Sequence, residues 1–237
     1  MSRTPWIHVE QLPEPGETVS LEADEARHVG RAHRLTTGAE IVLTDGRGTT
    51  ARAELVEGGR REARARVLEL TRHAPETPII HLASALPKGD RLATLLSMTT
   101  QLGLASFTPL VCARSVVTPS DETPARWERI LRESAKQSHR AHLPRIEAPR
   151  TPHTLIGPGD GPTVWLMDPD AGSGPSGAGS HPDGHLVVVG PEGGFTDEES
   201  RTLRRAGARP ARLGGGILRV ETACVAAVAV LRAASPD

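Results

Sequence analysis

Hydrophobic and polar positions alternate along this chain in three different ways, and each predicts a different element. Leu186 to Val189 are adjacent apolar residues without alternation, which predicts a strand covered on both faces, as in a parallel sheet. Ile79 to Ala85, Phe107 to Cys112 and Thr163 to Met167 (TVWLM) read as further strands of this part of the chain. Ala63, Ala65 and Val67, by contrast, alternate with Arg64, Arg66 and Leu68, so the run Glu62 to Leu70 predicts a strand with one basic, solvated face. Helical spacing appears over Asp24 to Leu35, over Arg91 to Leu102 with Gly103 closing it, and over Arg126 to Arg140 with Trp127, Ile130 and Leu131 on one side. Thr196 with Glu199 three residues on is a capping box that starts another helix. Ala223 to Leu231 are apolar at every position, which predicts a helix buried on all sides.

The order of these elements divides the chain. Residues 1–75 read as short strands, Thr18 to Leu21, Glu40 to Thr44, Thr49 to Val56 and Glu62 to Leu70, around one helix. Asp45-Gly46 and Arg47-Gly48 supply a hairpin turn, and a small β-barrel is the natural architecture. Pro75 and Pro78 mark a linker. Residues 76–237 open with strand, helix, strand, a βαβ unit, so the fold class is α/β with a parallel sheet. The Gly, Ser and Pro-rich stretch from Ala171 to His185 is a flexible loop, too short to separate domains.

Two glycine-rich turns stand out. Gly190-Pro191-Glu192-Gly193-Gly194 follows the buried strand, at the end where open α/β sheets bind ligands. Such turns commonly hold phosphate, but Glu192, Asp197, Glu198 and Glu199 here would repel it, and no Walker lysine is present. The turn suits a nucleoside without phosphate, including a positively charged one; a tight strand-to-helix connection with no ligand fits it equally. Leu213 to Gly216 leads through Ile217 and Leu218 to Arg219, Glu221 and Thr222, just before the apolar helix. Arg219 and Glu221 read either as a structural ion pair or as residues of a site, and a buried ion pair is weak evidence for stability.

Composition narrows the partners. Lys plus Arg is 28 against 29 Asp plus Glu, a net charge of −1, so any nucleic-acid contact must come from local patches. From Thr123 to Arg150 seven Lys/Arg face three Asp/Glu, which makes this run a candidate RNA surface; a solvated helix face is its plainer reading. Cys112 and Cys224 form neither a metal spacing nor a disulfide framework, and His181 and His185 lack a third ligand nearby, so no metal is expected. No membrane-length apolar span or signal peptide is read, and a cytoplasmic location is expected.

GPEGG followed by LG…ILR-x-ETA resembles the paired motifs of the SPOUT (α/β-knot) methyltransferases. The likeness is strongest to the family that methylates N3 of a uridine in small-subunit ribosomal RNA. Lys88-Gly-Asp-Arg91, Gln101-Leu-Gly, Arg114-Ser115 and Gln137-Ser138…Arg140 look like further family positions. The resemblance implies a C-terminal trefoil-knot domain that holds S-adenosyl-L-methionine, preceded by a PUA-like barrel that grips ribosomal RNA. It implies a cofactor pocket drawn from Leu166, Met167, Gly190, Glu192, Gly193, Leu213, Gly214, Ile217, Leu218 and Thr222. Methylating N3 of uridine removes its proton and spreads negative charge to the flanking carbonyl oxygens, and Arg219 is the candidate catalytic residue to stabilise that charge, with Glu221 to orient it. Arg27, Arg31, Arg34, Arg64, Arg66, Lys136 and Arg140 are the candidate RNA contacts. Three departures bear on RNA docking: Gln101 replaces a usual glutamate, Met98 a lysine and Gly216 an arginine. A non-catalytic or retargeted RNA-binding relative is the rival reading. A homodimer built on Glu221 to Leu231 is expected, because a soluble monomer would leave one apolar stripe of that helix in water.

Overall fold

The computed structural model describes residues 4–32, 36–57, 62–119, 123–157, 161–175 and 182–234. It divides into two compact units, residues 1–75 with 132–143, and residues 76–131 with 144–237.

The first unit contains β1 (Trp6–His8), β2 (Thr18–Ser20), α1 (Ala23–Ala32), β3 (Glu40–Thr44), β4 (Thr49–Glu57) and β5 (Arg64–Arg72). Its strands form one mixed sheet in the order β1-β3-β4-β5-β2, a half-barrel with β1 and β2 at its edges. Only β1 and β3 run parallel. The alternation read from the sequence holds in β5 and just before it: Ala63, Ala65 and Val67 are buried with Ile41, Leu43 and Leu55, while Arg64 and Arg66 stay exposed. Register shifts at Arg52/Ala53 and Leu55/Glu57 bend the β4–β5 ladder, as bulges do. β1 is an addition that short length hid in the sequence.

His8, at the end of β1, is 7% exposed. Burial, followed by the nearby Arg132 and Lys136 cations, lowers its pKa from 6.5 to about 4, against weaker opposing pulls from Asp45 and Glu10. The unfolded chain therefore binds a proton between pH 6.5 and 4 that the folded chain refuses. This contribution to stability is complete above pH 6.5 and lost as pH falls through that window, up to about 3 kcal/mol. Urea unfolding at pH 7.5 and 4.5 will show a loss of stability that is smaller in His8→Gln.

The second unit contains β6 (Ile80–Ser84), α2 (Arg91–Gln101), β7 (Ser106–Pro109), β8 (Arg145–Ile146), β9 (Thr163–Met167), β10 (His185–Val189), α4 (Asp197–Arg205), β11 (Arg209–Ala211) and α5 (Val220–Ala233). Helix α3 (Thr123–Ser138) contributes Thr123–Leu131 to this unit and Arg132–Ser138 to the first. All six strands are parallel, in the order β11-β9-β10-β6-β7-β8. The unbroken apolar run of β10 is explained by this position. Val187 and Val189 face a core shared with α2, α3 and α5, and Leu186 and Val188 face a second core with Leu203 of α4. Strand and helix therefore alternate across both faces of the sheet.

Helix α5 corrects the expectation of burial on every side. Val220, Ala223, Cys224, Ala227, Val228 and Leu231 are buried in the chain's own core, but Val230 is 40% exposed. Val228, at 0% exposure, belongs to the fold and not to an outer face.

Candidate cofactor and catalytic site

The carboxyl ends of β9, β10 and β11 and the loop between β11 and α5 enclose a cavity of about 740 Å³. Leu166 and Met167 come from β9, Val189 and Gly190 from the end of β10, and Leu213, Gly214, Gly216, Ile217, Leu218 and Arg219 from the loop. Three adjacent strand ends thus meet one long glycine-rich segment, the place where parallel sheets leave room for a ligand.

Local sequence explains each wall. Gly190 is required by close approach: a Cβ there would lie 2.8 Å from the Phe195 ring. Gly214 takes φ +105°, a conformation that side-chain-bearing residues avoid, and this lets the loop reverse at the cavity wall. Thr196 caps α4 by the expected reciprocal bonds: its hydroxyl accepts from the Glu199 N–H at 3.2 Å, and its own N–H donates to Glu199 Oε2 at 2.8 Å. The other carboxylate oxygen of Glu199 accepts the Ala113 N–H at 2.7 Å. Burial alone would raise the Glu199 pKa, but the bonds from Thr196 and Ala113, with help from His153, outweigh it and hold the carboxyl below its ordinary value. The carboxylate therefore stays ionised and ties α4 to the segment after β7.

A second clamp lies beside it. Arg114 donates from Nη1 to the carbonyl oxygens of Gly193 at 2.9 Å and Phe195 at 3.3 Å, and Arg91 pairs with Glu192 at 3.6 Å. Arg114 thus holds the backbone of the turn that forms the cavity wall. For the S-adenosylmethionine that the sequence resemblance implies, the expected outcome of Arg114→Ala is an affinity about five- to tenfold weaker through loss of these charged hydrogen bonds, with part recovered in Arg114→Lys, both read by calorimetric titration.

The lining carries both signs of charge: Asp168, Asp170, Glu192 and Asp197, and Arg201, Arg204, Arg212 and Arg219. Asp168 accepts from Arg204 at 2.7 Å, and its other oxygen accepts the Asp170 N–H at 2.9 Å. Apolar walls, glycine-lined open space at Gly214 and Gly216, and carboxylates on a lining free of lysine fit S-adenosyl-L-methionine, whose sulfonium is cationic and whose adenosine carries no phosphate.

Eight of the ten expected cofactor residues meet at this cavity: Leu166, Met167, Gly190, Glu192, Leu213, Gly214, Ile217 and Leu218. Gly193 and Thr222 do not line it. A Cβ on Gly193 would sit 3.4 Å from the Arg114 side chain, so that residue faces the clamp and not the cavity. Thr222 is exposed in the first turn of α5. Arg219 is on the cavity rim and exposed, whereas Glu221 is not on its lining. No ion pair joins them, and the Oε2 of Glu221 is buried without a hydrogen-bond partner. The expected orientation of Arg219 by Glu221 thus has no bond behind it in the single chain, because Arg219 precedes the helix as its N-cap and Glu221 lies inside the first turn.

The expected RNA contacts of the first unit separate more sharply. Arg64 and Arg66 are exposed, Arg64 donating to the Thr18 hydroxyl at 2.9 Å. Arg27 pairs with Asp24 in the same helix. The Arg31 side chain and Arg34 lie outside the described residues. Arg140 is half-buried. Lys136 is a correction: it is 7% exposed and donates to Glu25 at 2.6 Å and to Glu133 at 2.9 Å, so its charge is spent inside the protein and cannot meet a phosphate. Amphipathic spacing placed Lys136 on the polar side of α3 but could not reveal Glu25, 111 positions away in sequence. Sequence reasoning also missed Asp168, Phe195, Arg201, Arg204 and Arg212 at the cavity. An unbroken count of charge sign after Ser200 was the signal for the arginines.

A parallel α/β unit with its cavity at three strand ends, joined in one chain to a half-barrel unit, is the architecture of the SPOUT (α/β-knot) fold. Residues 75–232 match the RNA methyltransferase domain family, and residues 21–68 match the RNA methyltransferase PUA domain. The chain belongs to the RNA methyltransferase family. It is 31% identical over 232 residues to the Ribosomal RNA small subunit methyltransferase E of Mycobacterium bovis, covering 94% of this chain and 88% of that protein. It is 32% identical over 235 residues to the protein of the same name from Bacillus subtilis, covering 93% of this chain and 92% of that one. The Ribosomal RNA small subunit methyltransferase E of Neisseria gonorrhoeae, solved bound to S-adenosyl methionine, aligns with a TM-score of 0.88 at 28% identity over 98% of each chain.

Proposed function

We propose that this protein is an S-adenosylmethionine-dependent methyltransferase of small-subunit ribosomal RNA, and that it methylates N3 of a uridine. The observation that carries the reading is the cavity itself, which gathers the strand-end, glycine-turn and Arg219 residues in a unit of the RNA methyltransferase family. The relatives that act on small-subunit ribosomal RNA and the neighbour solved with S-adenosyl methionine support it.

Bound there, S-adenosylmethionine supplies a methyl carbon on a positively charged sulfur. Leu166, Met167 and Leu213 give apolar walls that exclude water from the reacting atoms, and the carboxylates of Glu192 and Asp197 on the lining favour a cation. Transfer to N3 would require the base to give up its N3 proton to an acceptor as the methyl group leaves its sulfur carrier, which would depart as a neutral thioether. Negative charge developing on the base spreads to the two flanking carbonyl oxygens. Arg219 stabilises it from the rim, as donors do in an oxyanion site. Glu192, on the cavity wall, is the candidate proton acceptor.

The same reading pairs two chains. Ile217 is 90% exposed, Leu218 38% and Val230 40%, so the loop and outer face of α5 present apolar surface that a second copy would cover. Calorimetry with S-adenosylmethionine, followed by nucleoside analysis of small-subunit ribosomal RNA after incubation, tests the function. One cofactor bound per chain and N3-methyluridine formed are expected. Binding without transfer to any ribosomal RNA fraction would favour an RNA-binding relative, and a monomer by light scattering at micromolar concentration would overturn the pairing.

A further inference from the structure

Resting on the reading of this unit as an RNA methyltransferase, we infer that α4 and β11 form an RNA-docking face beside the cofactor cavity, one that grips phosphates upstream or downstream of the target base. Between Ser200 and Val220 the chain carries Arg201, Arg204, Arg205, Arg209, Arg212 and Arg219 and no Asp or Glu. In a protein of net charge −1, this is a local excess of six positive charges. All six arginines are exposed.

Their placement makes them a surface and not a scatter. Arg201, Arg204, Arg212 and Arg219 line the cavity, and Arg205 and Arg209 continue the run outside its lining. Arg209 lies on β11, the outer strand of the six-stranded sheet, so nothing from the sheet covers its far side. Only Arg204 has a described carboxylate partner, Asp168; no described acid pairs with the other five. Asp168, Asp170, Glu192 and Asp197 share the cavity lining, but of these only Asp168 pairs with one of the six arginines, so the run is not a closed ion-pair network. Protection of an edge strand needs one or two charges of either sign, and Arg209-Pro210 alone supply that. Four arginines on the lining of one cavity, with two more in the same run outside it, exceed this need. Guanidinium groups make planar, two-bond contacts with phosphate, so this face fits a sugar–phosphate backbone that crosses the mouth and presents its base to the cavity. The loss of Lys136 as an RNA contact increases the share of phosphate binding that such a face must carry.

Arg205 and Arg209 test this without disturbing the cavity, since neither lines it. Binding of a fluorescent small-subunit ribosomal RNA fragment would be measured over a salt series for the full-length protein and for Arg205→Glu/Arg209→Glu, with S-adenosylmethionine affinity followed by calorimetry. The expected result is RNA affinity lower by on the order of tenfold, a log-affinity against log-salt slope shallower by roughly 1.5–2, and unchanged cofactor affinity. Arg205→Lys/Arg209→Lys should keep the slope. Unchanged RNA affinity and slope in the Glu variant would overturn the docking face. So would normal binding of free RNA with loss of methylation only on the assembled subunit, because that places the arginines against ribosomal protein. If the unaltered protein binds cofactor but no ribosomal RNA, the proposed function fails instead, a result distinct from either.

Discussion

Arg219→Ala will lower turnover by about 10²–10³-fold, the loss seen when one donor to a developing oxyanion is removed, while S-adenosylmethionine affinity changes less than about threefold. The reason lies in where Arg219 sits. It is the N-cap residue of α5 with an extended backbone, φ −66° and ψ 156°, and its side chain makes no capping bond. It lines the cavity mouth, is exposed, and has no described ion-pair partner, so its charge is uncommitted before substrate arrives. A group that contributes chiefly to transition-state stabilisation lowers kcat more than it alters ground-state binding. Single-turnover rates and calorimetric affinities measured on the same variant separate the two. Equal losses in both would make Arg219 a residue that shapes the pocket. Arg219→Lys will restore charge but not the planar two-bond geometry, and will recover only part of the rate.

Lys136→Ala will destabilise the first unit by about 3–5 kcal/mol, the range for removing one partner of a buried ion pair. The side chains of Lys136 and Glu25 are 6% and 7% exposed, and the pair closes at 2.6 Å. Removing the ammonium leaves a buried carboxylate whose Oε2 already lacks a partner. The loss should appear as a lower urea midpoint with little change in slope. Lys136→Met combined with Glu25→Leu should recover most of it, because exchanging both charges for apolar groups of similar volume is commonly neutral. RNA affinity of that double variant, measured where it is folded, should equal that of the unaltered protein. A marked fall in RNA affinity without loss of stability would return Lys136 to the RNA surface.

The charge on Lys136 and the charge on Arg209 illustrate the limit of reading polarity from sequence. Both follow patterns of solvated positions. Lys136 is buried because α1 brings Glu25 against it, and Arg209 is exposed because β11 ends the sheet. Spacing within one element cannot distinguish these cases, since the deciding neighbour lies far along the chain.

Several features were settled by local chemistry alone. The covered strand Leu186 to Val189, the Thr196–Glu199 cap, the alternation in β5 and the glycine turns depend on neighbours within a few residues, and each has the predicted conformation or burial. The paired GPEGG and LG…ILR-x-ETA motifs also carried the family, because so specific a combination of backbone-permissive and charged positions narrows the architectures that can use it. Other features existed only after folding. Short strands such as β1, β8 and β11 lack enough residues to show a period, and pairing partners define them. Gly193 turned toward Arg114, Glu221 turned from the cavity, and one face of α5 remained open although Ala223 to Leu231 are apolar throughout. Each depends on which direction a side chain takes relative to elements dozens of residues away, and composition along one element carries no information about that direction.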